Sequence, residues 1–378
     1  MIAYKYKLYN NKHNRELTQL LREACFVWNH CLSLQKRYYK LYNQYIPCGR
    51  MQKHFAKRYK VQHMDAQSVQ EVIQRLDSAY LRFFKKLAKR PPKFKRSADM
   101  TSIIYKQNGF KLDGNKLQIN KLKRKFKFSL SRPIKGTVKR ISVKKSPLGD
   151  FYLTVVTDAE PKRYRKTHDG ASVGIDFGLK TYLTLSDGTK IQNPQFLKDN
   201  LAELRKASKH HSKAVKGSKN RERRRMELDR VHEKVTNSRR DWQWKLAHEL
   251  CREYDNIFIE DLLLTGMSRR WGRKMSDLAH GEFVNILQQV ADKYGCLVHK
   301  IDRFYSSSKL CECGYKNEGL KLNDREWVCP ECGKIHDRDI NAARNILRRG
   351  IDELKSDSKT DATTVAGQSR LNSRIPLF

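Results

Sequence analysis

Three carboxylates stand where an acid is costly. Asp176 sits inside "VGIDFG", Glu260 ends "IFIEDL", and Asp339 opens "DINAARNIL". The first two interrupt apolar, strand-like runs, and the third begins a helical pattern. An acid in an apolar strand is expensive to bury unless a Lys, an Arg or a metal ion pairs with it. Taken singly, each has an ordinary explanation: an Asp at a helix start is usually a cap, an Asp close to a glycine usually sits in a turn, and a strand-end Glu usually faces solvent. Taken together, a hairpin, a later strand and a helix, each bearing one acid, allow the three to converge. Mg²⁺ prefers hard oxygen ligands and keeps several waters, so it needs few carboxylates besides phosphate. Two such ions ~3.5–4 Å apart can hold the attacking water and the leaving oxygen of a phosphodiester.

A second cluster is softer. Cys311 and Cys313 lie in "LCECGYKN", and Cys329 and Cys332 in "VCPECGK". The layout is that of a four-thiolate zinc ribbon. The first pair is C-x-C and the second C-x-x-C, so the first loop must be tighter, or His336 must substitute for one thiolate. Four reduced cysteines without a metal are the alternative. Cys25, Cys31, Cys48, Cys251 and Cys296 show no pairing pattern and are expected to be packing residues.

The charge says what such sites would act on. The 378-residue chain carries 79 Lys+Arg against 40 Asp+Glu, a formal net charge of +39. That repels itself unless a polyanion shares the structure. The basic residues are spread along most of the chain, which points to a nucleic-acid partner rather than to one solvated face. Charge alone assigns a partner class and no activity. No apolar run reaches the length of a membrane span, and "MIAYKYKLYNN" lacks the apolar core of a signal peptide. A cytoplasmic protein with no membrane partner is expected, with its nine cysteines reduced or metal-bound.

The positioning elements follow from periodicity. Residues 1–9 alternate as a basic strand, with Ile2, Tyr4, Tyr6 and Leu8 on one side. Residues 14–90 read as helical. Val72, Ile73, Leu76, Ala79, Tyr80, Phe83, Phe84 and Leu87 form one apolar stripe, opposite Gln67, Gln70 and Gln74. "KRPPKF" ends that block. Residues 103–157 read as strands; in "KLKRKFKF" Lys121, Lys123, Lys125 and Lys127 face one way, and Leu122, Phe126 and Phe128 the other. Near 172 the class changes: two strands, a long basic helical stretch over 195–253 broken near "KGSKN", the strand "NIFIEDL", a helix over about 280–294, the strand "CLVHKID", the cysteines, and a helix from "DINAARNILRR". The polar "KSDSKTDATTVAGQS" after about 350 reads as a disordered tail.

With "GIDFGLK", "FIEDL", the paired cysteines and "HDRDINAARNI" in this order, residues 1–350 resemble the transposon-encoded TnpB family, compact relatives of type V CRISPR effectors. The resemblance implies an α+β multidomain fold. It would comprise a wedge-like N-terminal β-barrel (1–10 and 93–165) with a helical recognition insertion (11–92), an RNase H-like RuvC nuclease core (170–304 and 336–350) with an inserted zinc ribbon (305–335), and a tail (351–378). It implies Asp176, Glu260 and Asp339 as catalytic Mg²⁺ ligands, with Asp337 as the fallback for Asp339, and Cys311, Cys313, Cys329 and Cys332 as ligands of a structural Zn²⁺. It implies RNA-guided DNA cleavage by a monomer within a ribonucleoprotein, using a transposon-derived guide RNA and a short motif beside the target, on double-stranded and single-stranded target DNA. A nuclease-inactive guided repressor and a transposase or transposase accessory protein are the alternatives.

For nucleic-acid contacts, Gln67, Gln70 and Gln74 are groove-reading candidates, since Gln pairs bidentately with adenine. Tyr105, Gln107 and Asn108 are similar candidates. Lys121, Lys123, Lys125, Arg223, Arg224 and Arg225 are candidates for phosphate. Trp242 and Trp244 would either stack on bases or pack in a core.

Overall fold

The computed structural model describes residues 1–10, 14–164, 170–261, 272, 275–321 and 324–371; beyond residue 356, and at Gln107, it describes backbone only. The chain divides into two units, Met1–Pro161 and Lys162–Phe378.

In the first unit, strand β1 (Ile2–Lys7) is followed by helices α1 (Asn14–Tyr42), α2 (Cys48–Arg58) and α3 (Ala66–Phe84), and then by six strands. These are β2 (Ser102–Lys106), β3 (Phe110–Asp113), β4 (Lys116–Ile119), β5 (Lys125–Lys127), β6 (Val138–Lys145) and β7 (Phe151–Thr157). They pair antiparallel as a four-stranded sheet, β1-β7-β6-β2, and a three-stranded sheet, β3-β4-β5. A bridge from Leu8 to Phe128 connects the ends of β1 and β5. The alternation expected in the first strand holds: Tyr4, Tyr6 and Leu8 are buried. In α3, Asp65 caps the N-terminus by accepting from the Ser68 amide at 2.9 Å. Val69, Val72, Ile73, Leu76 and Tyr80 then enter the core. The stripe stops short of its sequence length, because Phe84 and Leu87 are exposed. The helix itself ends at Phe84, ahead of the proline pair. In "KLKRKFKF" only Lys125–Lys127 is strand, yet Leu122, Phe126 and Phe128 are all buried.

The second unit is built on a five-stranded sheet of order β10-β9-β8-β11-β12. Here β8 (Ser172–Phe177), β9 (Thr181–Leu185) and β10 (Lys190–Gln192) form antiparallel hairpins. Strands β11 (Asn256–Glu260) and β12 (Leu297–Ile301) run parallel to β8. Its helices include, in chain order, α4 (Phe196–Asp199), α5 (Leu201–Lys213), α6 (Lys219–Glu253), α7 (His280–Tyr294) and α8 (Arg338–Leu371). A two-residue side-chain period separates the sheet's faces. Val173, Ile175, Phe177, Ile257 and Ile259 pack with Leu246, Leu250, Phe283, Leu287 and Val290 of α6 and α7. Phe258 lies on the other face with Ile346 of α8. Gly174, Asp176 and Glu260 alternate onto that same face.

Helix α8 comes unusually close to the sheet. A β-carbon at Gly174 would collide with the backbone of Ala343 and Leu347, and one at Gly350 with the ring of Phe258. The backbone helix extends over residues 351–371, where polar composition suggested a tail; residues 372–378 lie outside the described residues. Strands β13 (Glu326–Val328) and β14 (Ile335–Asp337) make a small antiparallel hairpin just before α8. Among the described residues, no helix is long and apolar enough to cross a membrane.

Candidate metal and nucleic-acid sites

The close contact at Gly174 is what brings the acids together. Asp176 is two residues along β8 from Gly174, so its side chain emerges on the face that α8 covers. Ala343 crosses at Gly174, and Asp339 lies one helical turn earlier on the same side of α8. Glu260 follows Ile259, which registers with Ile175 on the adjacent parallel strand. The electrostatics agree with this convergence. Burial first, then the charges of Asp339 and Glu260, push the Asp176 carboxyl up to about 7, against an opposing pull from Arg338. Burial and then Asp261 push Glu260 up to about 7.

Asp337 and Asp339 divide the roles that sequence left open. Asp337 is the cap: its Oδ1 accepts from the amides of Asp339 and Ile340, both at 3.0 Å. Its Oδ2 meets Lys190 Nζ at 2.6 Å. Asp339 instead receives Arg325 Nη1 at 2.9 Å, from the chain just ahead of β13. Neither Arg325 nor Lys190 was singled out from sequence, since nothing local marks either as a partner of an acid so far along the chain. Asn341 and Asn345 were missed too. Asn345, fully buried, donates to the carbonyls of Ser307 at 2.8 Å and Leu310 at 2.7 Å, and Asn341 donates to Leu310 at 2.9 Å. They tie α8 to the chain entering the cysteine loops. The i, i+4 spacing in "NAARN" was the available signal.

The four cysteines form a compact set. Cys311 and Cys329 are buried, and Cys313 and Cys332 are exposed. Their Sγ atoms all lie within 4.8 Å of one another, with Cys311–Cys332 at 3.5 Å and Cys313–Cys329 at 3.6 Å. Zn–S bonds of ~2.3 Å in a tetrahedron require sulfurs about 3.8 Å apart, so the set fits zinc. Each pair is followed by a glycine in the left-handed region, Gly314 (φ 96°) and Gly333 (φ 68°). These turns bring Gly314 N to Cys311 O and Gly333 N to Cys329 O. The C-x-C pair therefore reaches the cluster through a tight glycine turn, and the four thiols gather without His336 taking a place among them. His336 is buried, stacks on Trp327 at 4.5 Å, and places Nε2 3.1 Å from Cys311 Sγ. Burial pushes the Cys311 thiol up to about 12. At Cys329 burial is outweighed by the Cys332 and Glu331 amides and neighbouring thiols, and the thiol is held at about 7. Among the described residues, this is the one group of three or more ligating side chains gathered so tightly; the three carboxylates are not.

The nucleic-acid candidates divide. Gln67, Gln70 and Gln74 line the exposed face of α3, and Asn108, Lys121, Lys123 and Lys125 are exposed. The side chain of Gln107 lies outside the described residues. Tyr105 is corrected to a core residue: strand alternation turns it inward beside Ile103, and it is 1% exposed. Arg223 is exposed and donates to the neutral Asn220 amide. Arg224 and Arg225 are engaged by Glu227 (2.8 Å) and Glu222 (2.7 Å) on their own helix. Trp242 and Trp244 are partly buried against the core, with Trp242 edge-on to Tyr182 at 4.7 Å.

Comparison with known proteins gives the same ordering of parts. Residues 154–270 match the family model OrfB_IS605, described as "Probable transposase", and residues 280–346 match "Cas12f1-like, TNB domain". A "Putative RNA-guided DNA endonuclease" of Streptomyces pristinaespiralis is 34% identical over 288 residues, 75% of this chain and 71% of the relative. "Putative RNA-guided DNA endonuclease InsQ" of Escherichia coli strain K12 is 28% identical over 375 residues, 92% of both chains. In a solved complex of Cas12f1 with guide RNA and target DNA, the protein has a similar fold: TM-score 0.61 at 17% identity, over 89% of this chain and 83% of that one. The chain belongs to the TnpB family of transposon-encoded proteins.

Proposed function

We propose that this protein is an RNA-guided DNA endonuclease, with Asp176, Glu260 and Asp339 as the carboxylates of a Mg²⁺-dependent RuvC-type site. The observation that carries the reading is the placement of the three acids. Two adjacent parallel strand ends and one crossing helix direct them to one face of the sheet, where burial and the charges of Asp339 and Glu260 raise Asp176, and burial and Asp261 raise Glu260. That is a poor arrangement for stability and a good one for divalent cations. The strand order, with hairpins on one side of β8 and parallel strands on the other, supports an RNase H-like core (170–304 and 336–350) interrupted by the cysteine ribbon (305–335). The first unit takes the wedge-barrel and recognition roles. Guide RNA and target DNA are the partners, in keeping with the net charge of +39.

The donor set suits Mg²⁺, being all carboxylate oxygen. When bound there, Mg²⁺ would activate a water and stabilise the leaving oxygen of the scissile phosphate. The chain's own task is positioning. Gly174 lets α8 approach, Asp337 fixes the first turn of α8, and Arg325 holds Asp339 in the metal-free protein. Asn341 and Asn345 tie α8, which carries the third acid, to the chain entering the cysteine ribbon.

The test is expression beside the native flanking DNA, sequencing of the co-purified RNA, and cleavage of a DNA matched to its variable end. One defined RNA and magnesium-dependent cutting are expected. Cutting that survives Asp176→Ala with Glu260→Ala overturns the site. Guided binding without cutting would instead be a repressor, and cutting that ignores the RNA a transposase.

A further inference from the structure

Phe304 is 85% exposed, more than any other large apolar side chain among the described residues. Single exposed hydrophobics are common and need no role. This one differs in how it is held and where. Ile301, at the end of β12, registers with Glu260 at the end of β11. Phe304 follows three residues later, at the end of the sheet that bears the carboxylate.

The turn is fixed on both sides of the ring. Asp302 Oδ1 accepts from the Phe304 amide at 3.0 Å, and the Tyr305 amide donates to Asp302 O at 3.1 Å. Arg303 bonds Asp261, the residue after Glu260, and Lys300 Nζ lies 3.8 Å from the same carboxylate. Tyr305 turns inward onto Phe258, Ile301 and Ile346, with Arg349 5.9 Å from its ring centre. The backbone around Phe304 is thus anchored to the acid-bearing strand while its ring is presented to solvent. Lys300 and Arg303 stand among Asp261 and Asp302, two cations and two acids, so the chain's net charge of +39 rather than a local excess draws a polyanion here. A ring with cationic neighbours suits an anionic ligand that carries its own π face, a nucleotide, better than it suits a lipid or an apolar peptide.

We infer that Phe304 stacks on a base of the single DNA strand presented to the carboxylate site. This rests on the nuclease reading and names one of its strand contacts. Aromatic stacking accepts any base, which fits a cutter whose sequence choice lies elsewhere. Seating one base at the rim limits the phosphate positions that can reach the acids.

The experiment uses the full chain and a short single-stranded DNA carrying 2-aminopurine, with calcium replacing magnesium and salt raised to suppress phosphate-only binding. Stacking quenches the 2-aminopurine. Phe304→Ala is expected to weaken binding roughly tenfold and to remove the quench. Phe304→Trp should retain both, and the melting temperature of Phe304→Ala should match the parent. The inference fails if Phe304→Ala binds and quenches like the parent. It also fails if that variant melts several degrees lower and Trp does not restore binding, since Phe304 would then be a packing residue. Asp176→Ala, run in magnesium, separates the two readings. If it still cuts, the nuclease site is wrong whatever Phe304 does; if it does not cut but quenches normally, the stacking result stands on its own.

Discussion

The two candidate metal sites of the second unit are assembled in opposite ways. The thiols come from one short stretch, residues 311–332, and already lie within 4.8 Å of one another. The carboxylates come from residues 176, 260 and 339 and depend on a helix crossing two strands. Protonated thiols are neutral and can gather without repulsion. Carboxylates cannot: burial and the charges of Asp339 and Glu260 push Asp176 up to about 7, burial and Asp261 push Glu260 up to about 7, and Arg325 takes Asp339. The soft site is preorganised like a folding element. At the acid site, burial favours the protonated forms of Asp176 and Glu260, and a guanidinium engages Asp339.

The strongest test of this contrast is to remove a repelling charge. Asp176→Asn or Glu260→Gln should lower guided cleavage by roughly a thousandfold or more. The metal-free variants should nevertheless melt above the parent at pH 8. The sign follows from the raised values, about 7 against 3.8 and 4.5. Between about pH 4 and pH 7 the folded chain keeps protons that the unfolded chain releases. The contribution of these acids to stability therefore falls as pH rises through that window and is flat above it. A variant that loses cleavage with no gain in melting temperature would mean the acids are not strained.

Metal removal should act on the other site. A strong zinc chelator, or Cys329→Ser, is expected to unfold the ribbon, since structural zinc supplies roughly 10 kcal/mol or more in small sites. Hydrogen exchange should show lost protection around Trp327 and Tyr315, while β8 and β11 keep theirs. Unchanged ribbon protection would remove the claim that the thiols are a folding element.

Gly174→Ala probes what the acids need and the cysteines do not. Its β-carbon would meet the backbone of Ala343 and Leu347, which cannot rotate aside. A loss of about 1–3 kcal/mol in denaturant unfolding is expected, with cleavage falling further as Asp339 shifts. Normal cleavage at reduced stability would show that α8 need not sit so close.

Arg325→Ala should give the smallest effect. A half-exposed ion pair is worth roughly 0.2–1 kcal/mol, so Mn²⁺ affinity read by electron paramagnetic resonance should rise up to about fivefold as the competitor leaves. Weaker Mn²⁺ binding would mean that Arg325 organises the site rather than guards it.

Much of this was legible in the chain because it is periodic. The two-residue alternation in "SVGIDF" and "NIFIE" separates Asp176 and Glu260 from the apolar faces beside them, and the stripe through Val72, Ile73 and Leu76 sets which face of its helix the glutamines occupy. The cysteine spacing predicted a four-thiolate cluster, and the structure closes it despite the short first pair. The same alternation marks Tyr105, buried beside Ile103, as a core residue rather than a nucleic-acid contact.

What the sequence by itself determined were elements, faces and residue types, since these depend on neighbours within a few positions. Only the tertiary structure decided which aspartate caps and which joins the acids, that Arg325 and Lys190 are their partners, and that Phe304 is exposed just beyond the strand beside Glu260. Each of those depends on where remote segments cross, and here α8 crosses β8 at Gly174 because the missing side chain lets the backbone come so near.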